Sequence, residues 1–596
     1  MTKTEKTKRD NKSIFLRLCK YVLRFWYLFI PAVIMTLLSN QLALLGPKYS
    51  GDAIDAIAAE GSVAFEVVWY NVGRMIVCYV LSAILSYVLA VLMLYLSQKI
   101  VYIMRRQVFE KLTTLPVGYF DTHPTGDIIS HISYDIDTIN STLSHDLVQT
   151  MTSLYTVIGS LVFMWNISRT LIIVFAFTVP AAVFFTRFRA KTIRPLTRKR
   201  SKKLGELNGY AEEMLSGHRS IQAYEREEEI GRRFNVHNTE AMDAFYHADY
   251  YMAAFGPSVN FINNMSISLV MILGGIFYMY SQNGMFAESS IFFITLGGVA
   301  QFVQYSRKFA GPINEFANIF SEFQSAFSAA ERVFRILDEE PEKEDAEHAL
   351  TLKDVRGKVS FEDVVFGYTP EKEILHGISL VAEPGKTIAI VGPTGAGKTT
   401  IINLLMRFYD VTKGSVQVDG TDVRDITRES LRKAYTMVLQ DTWLFYGTIF
   451  ENIAYGRENA TLEEVKAAAK AARIDSYIES LPDGYDTLLT DDGINISKGQ
   501  RQLITIARAM ISDSEMLILD EATSNVDSRT EIKIQEAMAE LMKGRTCFVI
   551  AHRLSTIQNA DQIIVLQDGR VTEIGNHEEL MSKGGFYSTL YNSQFQ

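Results

Sequence analysis

Cysteine is scarce in this 596-residue chain, which contains only Cys19, Cys78 and Cys547. The three lie far apart in the sequence, and their spacing is not that of metal ligands. So sparse and odd a set argues against a disulfide framework and is typical of a reducing compartment. An excess of positive charge is also lacking, because the formal net charge is −9. This balance gives no support for a nucleic-acid partner.

Apolar residues, by contrast, are abundant and unevenly distributed. They make up 48% of the chain against 21% charged residues. Long apolar runs precede a point near residue 335, and a pattern typical of soluble domains follows it. We therefore expect an N-terminal tail and surface helix at 1–26, a membrane domain at 27–335, an acidic linker at 336–350 and a soluble domain at 351–596.

Apolar segments in the first half are long enough to cross a bilayer, which takes about 20 helical residues. They are residues 27–45, 75–96, 147–165, 171–188, 255–280 and 291–305. Burial in a protein core could account for one or two such segments, but not for six. Ahead of them, residues 13–27 alternate basic and apolar side chains, which predicts an amphipathic helix on the inner membrane surface. No apolar signal-peptide core follows the polar start of the chain.

The distribution of Lys and Arg predicts the orientation. Residues 49–73 contain neither residue type and carry four acidic side chains, so we place them outside the membrane. The basic stretches 105–111, 187–203 and 219–233 then lie inside. This arrangement predicts a cytosolic N-terminus and a cytosolic soluble domain. The charged connectors after the second and fourth spans are helical in pattern, and about 15 extra residues would carry each helix about 20 Å beyond the bilayer.

Two short pieces punctuate those connectors, at residues 118–131 and 217–227. Pro and Gly interrupt the first piece, and aromatic side chains stand out in otherwise polar sequence in both. Each is either a solvated turn or an element that docks on a second domain. The chemistry of the residues alone does not decide between these interpretations.

A phosphate-binding loop lies in the second half, between an apolar strand and an amphipathic stretch at 401–408 that predicts a helix. Its residues are Gly392, Pro393, Thr394, Gly395, Ala396, Gly397, Lys398, Thr399 and Thr400. Glycines let backbone amides surround phosphate oxygens, and the helix N-terminus adds partial positive charge. Lys398 can reach the β- and γ-phosphates, and the Thr399 hydroxyl can bind Mg²⁺. The strand and helix on either side argue against a chance Gly-rich turn, so we expect a nucleoside triphosphate here.

The other groups needed for hydrolysis follow apolar strands. The apolar strand at 516–520 ends in Asp520 and is followed by Glu521. Asp520 can hold Mg²⁺, and Glu521 can orient or deprotonate the attacking water. His552 follows another strand and can bond the γ-phosphate or the water. Gln440 can ligate Mg²⁺, and Tyr368 can stack on an adenine. Taken singly, His552 and Tyr368 would be an ordinary structural histidine and an ordinary surface aromatic.

These motifs together resemble an ATP-binding cassette (ABC) exporter half-transporter of the type IV fold, over essentially the whole chain. The resemblance implies six transmembrane helices followed by an α/β P-loop ATPase. It matches residues 392–400 to Walker A, Gln440 to the Q-loop, and Tyr368 to the adenine-stacking loop. Asp520 and Glu521 match the end of Walker B and the catalytic carboxylate, and Asp527 and His552 match the D-loop and switch histidine. The two connector pieces match the family's coupling helices.

The family signature, usually LSGGQ, corresponds to Ile496, Ser497, Lys498, Gly499 and Gln500. In this family each ATP lies between Walker A of one cassette and the signature of another, so the resemblance implies at least a dimer. Lys498 stands where the family has Gly, and it adds a long cation where close backbone approach to the partner's γ-phosphate is expected. The change is either neutral drift or the sign of a heterodimer with one competent and one degenerate site.

The resemblance implies ATP- and Mg²⁺-dependent export of hydrophobic compounds, drugs or lipids, across a bacterial cytoplasmic membrane by alternating access. The implied partners are a second half-transporter, membrane lipids and a hydrophobic small molecule, with no nucleic acid. A homodimeric lipid flippase or peptide exporter is one alternative. A membrane-anchored regulatory ATPase is another, although six spans with cytosolic extensions argue against it. No residue identifies the transported compound, because apolar cavity walls accept many ligands.

Overall fold

The structure, a computed structural model, describes residues 11–58, 63–286, 290–439, 442–489, 496–520, 527–550 and 557–595. Its internal contacts divide the chain into two compact units. The first comprises Met1–Thr114 and Pro124–Glu339, and the second comprises Leu115–His123 and Glu340–Gln596. The segment Leu115–His123 thus belongs to the second unit although it interrupts the first in sequence.

The first unit is built from helices. Within the described residues they are α1 (Asn11–Leu23), α2 (Trp26–Ala58), α3 (Phe65–Leu112), α5 (Thr125–Ser130), α6 (Ile136–Ser141), α7 (Leu147–Ile167), α8 (Ile173–Ser216), α9 (His218–Ala223), α10 (Glu227–Gln282) and α11 (Leu296–Leu337), with α4 (Val117–Thr122) assigned to the second unit. Short π-helical segments at His131–Asp135 and Thr142–Asp146 join α5, α6 and α7 into one continuous run.

Five helical runs among the described residues are long and apolar enough to cross a membrane. They are Trp26–Ala58, Phe65–Leu112, Thr125–Ile167, Ile173–Ser216 and Glu227–Gln282. The first five predicted spans fall within these runs, apart from Leu171 and Ile172, which precede α8. The predicted sixth span, 291–305, overlaps the start of α11 but begins in bends and turns before it.

Small polar side chains let α2 and α3 pack closely as a hairpin. The Ser39 hydroxyl lies 2.6 Å from the Ser86 hydroxyl, and the Ser82 hydroxyl donates to the Ser39 carbonyl at 2.9 Å. Gly46 faces the ring of Tyr79 so closely that any added Cβ would overlap it. Small residues at such positions are the usual means by which membrane helices approach one another.

Helices α8 and α10 pair along their length, but α8 remains largely uncovered. Of its 44 residues, Val174 and Phe175 are buried. Ion pairs link the two helices beyond their apolar segments, with Arg200 Nη1 2.5 Å from Asp249 and Lys203 Nζ 2.7 Å from Glu240.

The second unit is an α/β domain. Its described strands are β1 (Val359–Phe366), β2 (Leu375–Ala382), β3 (Thr387–Val391), β4 (Lys413–Val418), β5 (Thr421–Asp422), β6 (Tyr435–Val438), β7 (Gly447–Thr448), β8 (Leu488–Leu489), β9 (Met516–Asp520), β10 (Thr546–Ile550), β11 (Gln562–Gln567) and β12 (Arg570–Gly575). Its described helices besides α4 are α12 (Lys398–Leu405), α13 (Arg428–Lys433), α14 (Ile449–Ala454), α15 (Leu462–Ala471), α16 (Asp475–Glu479), α17 (Lys498–Met510), α18 (Ser528–Met542), α19 (His577–Lys583) and α20 (Phe586–Phe595).

The central sheet of this unit has the order β12-β11-β3-β10-β9-β6 in the described residues. All neighbours in it are parallel except β11 and β12. Its inner strands are continuous apolar runs with core clusters on both faces, as expected for a parallel sheet covered by other layers. The register places Ile550 beside both Ile390 and Asp520, so β3, β9 and β10 end at one edge. A second, antiparallel sheet has the order β2-β1-β4-β5.

Two acidic residues of the predicted linker dock on the second unit. The backbone N–H and guanidinium of Arg428 donate to Asp345 at 3.0 and 2.7 Å. Arg432 Nη2 donates to Glu342 at 2.5 Å, and Arg407 Nη1 lies 3.5 Å from Asp345. The Arg407 and Arg428 side chains are only 6% and 10% exposed, so their charges need carboxylate partners, which the linker supplies together with Asp410.

Replacement of Asp345 by Ala should therefore destabilise the second unit, since it removes the carboxylate 2.7 Å from Arg428 and leaves that arginine only Glu342 at 3.5 Å. We expect a loss of about 1–3 kcal/mol, below the full cost of breaking a buried pair because Asp345 is partly exposed. That loss corresponds to a melting temperature several degrees lower. Thermal unfolding of the full chain in nanodiscs measures it, with Glu371→Ala on the exposed surface as the control. Equal melting temperatures for both variants would contradict the assignment.

Candidate nucleotide-binding site

The phosphate-binding loop joins β3 to α12 at the edge where β9 and β10 also end. Gly395 and Gly397 have φ values of +85° and +102°, a region that side chains strongly disfavour. A Cβ on Gly397 would also lie 2.6 Å from the Leu375 side chain. The left-handed Gly397 caps α12, which therefore begins at Lys398, three residues before the predicted start at 401. The amides of its first turn point toward the helix N-terminus and the loop, where an anion is favoured.

Lys398 lies across this loop. Its Nζ donates to the carbonyls of Gly392 and Pro393 at 2.8 and 3.1 Å. Burial lowers the pKa of Lys398, and the charge of Asp520 at the end of β9 opposes that shift. The opposition shows that the Asp520 carboxylate lies within electrostatic reach of the lysine. The structure thus brings together the loop cation and the first acidic residue, as the sequence predicts.

Tyr368 is held beside α12 by its hydroxyl. Asn403 Nδ2 donates to this oxygen at 2.9 Å, and the Thr400 hydroxyl lies 3.3 Å from it. The Tyr409 ring meets the Tyr368 ring edge-on, with 5.0 Å between centroids. Tyr368 remains 43% exposed, so its ring has free surface on which a base can stack.

The sequence does not predict the supporting roles of Asn403 and Tyr409. The signal that could have indicated them is local. Asn403 lies on α12 three residues after Thr400 and so faces the same side of the helix. Tyr409 stands just after α12 in a largely polar stretch.

Tyr409 also contacts α4, the helix in the first connector piece. Its hydroxyl donates to the Asp121 carboxylate. A Cβ on Gly118 would lie 3.0 Å from the Tyr409 ring, so the glycine permits this approach. Burial and the Asp121 carboxylate raise the pKa of Tyr409, which keeps its hydroxyl protonated as a donor. The first piece therefore docks on the ATPase unit, whereas α9 of the second piece lies within the first unit.

The signature residues open α17. Ser497 caps this helix, accepting from the Gln500 backbone N–H at 3.3 Å while the Gln500 side chain accepts from the Ser497 N–H at 2.8 Å. This reciprocal pair is a capping box. Gly499 is buried, whereas Lys498, the first helical residue, is exposed. The helix N-terminus is thus well formed with Lys at the unusual position.

Of the remaining predicted site residues, the structure describes one and leaves three outside the described ranges. Asp527 caps α18, and the hydrogen bond from the Thr530 N–H lowers the pKa of its carboxyl. Gln440, Glu521 and His552 lie outside the described residues. The strands that precede them, β6, β9 and β10, are neighbours in the central sheet. Their roles remain predictions.

The residues at the loop suit a magnesium nucleotide. Thr399 and Asp520 offer hydroxyl and carboxylate oxygens, which are the donors Mg²⁺ prefers, and the ion usually completes its shell with water and phosphate. Asp520 ends β9 at the sheet edge where β3 leads into the loop, and its charge acts on the pKa of Lys398. The donor set therefore fits the ion, and Gln440 is a further predicted ligand.

This fold and site define a P-loop ATPase joined to a helical membrane unit. Comparison with protein families matches residues 28–302 to the model described as ABC transporter transmembrane region and residues 375–524 to the model described as ABC transporter. The chain belongs to the ABC transporter family and has the organisation of an exporter half-transporter. It is a multi-pass membrane protein whose ATPase domain binds ATP and couples its hydrolysis to transport.

Similar proteins cover nearly the whole chain. An uncharacterized ABC transporter ATP-binding protein of Bacillus subtilis, YfiC, is 40% identical over 99% of this chain and 95% of its own. The fatty acid ABC transporter ATP-binding/permease protein of Mycobacterium bovis is 41% identical over 90% and 82%. The ATP-dependent lipid A-core flippase of Desulfotalea psychrophila is 35% identical over 98% and 100%.

A solved structure shows the same architecture. A bacterial Atm1-family ABC exporter with ATP bound superimposes with a TM-score of 0.76, at 29% identity over 96% of this chain and 98% of the other. The predicted fold class, a type IV exporter membrane domain with an α/β ATPase, is confirmed.

Replacement of Tyr368 by Ala should weaken ATP binding about tenfold, because base stacking on an aromatic ring is lost. Tyr368→Phe keeps the ring and should change the dissociation constant less than the Ala variant does. Titration of the purified chain with a fluorescent ATP analogue measures both. Tyr477→Phe, at a hydroxyl for which the described residues show no hydrogen bond, is the control. Equal loss in the Phe and Ala variants would mean that the hydroxyl, not stacking, supports binding.

Proposed function

We propose that this chain forms half of a dimeric transporter that moves lipids or similar hydrophobic compounds out across the bacterial cytoplasmic membrane. The observation that carries the proposal is the docking of α4 at Tyr409, directly beside Tyr368. It places α4, which follows α3 in the chain, against the residue whose ring packs on Tyr368. A nucleotide that moves Tyr368 would thereby act on the helices that cross the bilayer. ATP binding would favour one state of the membrane unit and product release another.

Each site residue has a proposed task. The loop amides and Lys398 bind the phosphates, and Tyr368 stacks on adenine. Thr399, Gln440 and Asp520 would hold Mg²⁺, which supplies charge neutralisation to the β- and γ-phosphates. Glu521 orients the attacking water and takes its proton, and His552 bonds the γ-phosphate. Ser497, Gly499 and Gln500 would face the ATP of the other cassette.

The substrate class is supported by the relatives. Two of them are named for lipidic compounds, a fatty acid and lipid A-core. Both match most of this chain, including its membrane unit. We therefore place lipids ahead of drugs and peptides as cargo, with the N-terminus and the ATPase in the cytosol.

Lys498 bears on whether the partner is a different half-transporter or a second copy of this chain. A lysine at the first helical position of α17 puts charge and bulk where the partner's γ-phosphate would approach. This supports a heterodimer. Its competent site would combine the Walker motifs of this chain with an intact signature of the partner subunit. The intact capping box and the resemblance to lipid A-core flippases instead support a homodimer. A membrane-anchored regulatory ATPase is disfavoured by the apolar helices and the docked α4.

Replacement of Glu521 by Gln should stop steady-state ATP hydrolysis, because the amide cannot accept a proton from the water. We expect turnover to fall at least about a hundredfold, with ATP affinity retained. Phosphate release and ATP binding by the purified protein measure the two effects. Glu540→Gln, which removes an exposed carboxylate on α18, is the matched control. Hydrolysis near the wild-type rate in the Glu521 variant would exclude the assigned role.

Replacement of Lys498 by Gly separates the two assemblies. In a heterodimer with unequal sites, the chain alone should hydrolyse little ATP, and Lys498→Gly should raise its rate severalfold. In a homodimer that tolerates Lys498, the wild-type chain should already be active and the change small. Lys498→Ala, which removes the side chain without adding backbone freedom, distinguishes side-chain obstruction from a need for glycine. An inactive chain that neither variant restores would refute the role assigned to Lys498.

A further inference from the structure

One stripe of α8 carries exposed cations. Arg187, Lys191, Arg194 and Arg198 follow one another at intervals of four, three and four residues, and all are exposed. At 100° per residue these positions fall within about 60° of one another and span about 16 Å of the helix. We call them the α8 basic stripe. Within the described part of the chain, none of them forms an ion pair or a side-chain hydrogen bond.

The opposite side of α8 explains why the stripe has no acidic partner. Arg200 bonds Asp249 at 2.5 Å and Lys203 bonds Glu240 at 2.7 Å, both on α10. The guanidinium of Arg189 lies 5.9 Å from the centroid of the Tyr251 ring, also on α10. These three residues lie about 160–220° around the helix from Arg187. The cations on this side therefore contact α10, and the α8 basic stripe points away from it.

Exposed phenylalanines continue the uncovered face toward the apolar end of the helix. Phe177, Phe184 and Phe188 are 74%, 74% and 63% exposed. Their spacing of seven and four residues places them on a stripe adjoining the basic one. The apolar part lies in the predicted span 171–188, and the basic part begins where that span ends. One face thus offers aromatic surface at acyl-chain depth and, from Arg187 to Arg194, cations whose long side chains reach headgroup depth, while Arg198 lies about 15 Å beyond the end of the span.

We propose that the α8 basic stripe and the adjoining phenylalanines bind a lipid of the inner leaflet that carries an anionic headgroup. Charge complementarity supports this occupant, since Lys and Arg clusters on the cytosolic side of a span attract anionic lipid. Long cationic side chains also reach headgroups while their stems cover apolar surface. The identification of this lipid as cargo rests on the proposed function, whereas its binding does not.

The test compares two variants of the full chain that lose the same charge. Lys191→Gln/Arg194→Gln/Arg198→Gln removes most of the stripe. Arg105→Gln/Arg106→Gln/Lys111→Gln removes three cations from α3, where Arg105 pairs with Asp137 and Arg106 with Glu110. Binding of dioleoylphosphatidylglycerol and of zwitterionic dioleoylphosphatidylcholine to the detergent-solubilised protein is measured by native mass spectrometry.

We expect the wild type to prefer the anionic lipid, and the stripe variant to bind it about tenfold more weakly. The α3 variant should stay within about twofold of the wild type, because two of its three cations are paired with carboxylates and attract lipid less. Unchanged binding in the stripe variant, or equal loss in both variants, would overturn the proposal. So would displacement of the lipid by soluble glycerol phosphate, which would indicate a site for free anions.

The oligomeric state of the same samples tests the competing occupant, an acidic surface of the partner subunit. The stripe variant should keep the oligomeric mass of the wild type. If the stripe variant dissociates into subunits and the α3 variant does not, the stripe is a subunit interface and the proposal is overturned. ATP hydrolysis in nanodiscs with and without phosphatidylglycerol addresses the cargo separately. Lipid that binds the stripe but neither stimulates hydrolysis nor is transported would refute the lipid as cargo and leave the binding site standing.

Discussion

The left-handed backbone at Gly397 is the constraint on which the nucleotide site depends. It ends the loop and starts α12 at once, so that Lys398, Thr399 and Thr400 occupy the first turn. The Leu375 side chain of β2 fills the space where a Cβ would stand, which fixes this turn against the antiparallel sheet. From this one turn, Lys398 reaches across the loop and Thr400 supports Tyr368. The residues proposed to contact adenine and phosphate are thus positioned by a single helix terminus.

The sequence predicts the central strands well because their signal is local. The apolar run at 516–520 coincides with β9, and the apolar strands expected before the phosphate-binding loop and before His552 correspond to β3 and β10. The start of α12 was placed three residues late, since an apolar pattern does not show the glycine cap that begins a helix. Contacts between distant residues were not predictable. No local pattern indicates that Asp345 accepts from Arg428, or that Tyr409 donates to Asp121.

The membrane unit shows the same division between local and distant information. Hydropathy predicts where α8 crosses the membrane. It does not distinguish one side of the helix from the other in the basic stretch that follows. The structure resolves that stretch into two sides with different chemistry. Arg200 and Lys203 form ion pairs with carboxylates of α10. The residues of the α8 basic stripe form no ion pair among the residues that the structure describes. Which side is satisfied depends on how α8 is rotated against α10, and that rotation is a property of packing rather than of composition.

Lys498 illustrates how an altered motif can keep its local structure and still change its chemistry. The backbone of the first turn of α17 does not require glycine there, because Ser497 and Gln500 close the capping box around Lys498. Any consequence must therefore come from the side chain. A cation added to a helix N-terminus strengthens the attraction for phosphate, while its length opposes close approach of the backbone. Charge and bulk thus act in opposite directions on a nucleotide bound by the partner. Their balance, rather than the loss of a fold element, would decide whether the two sites of the dimer are equal.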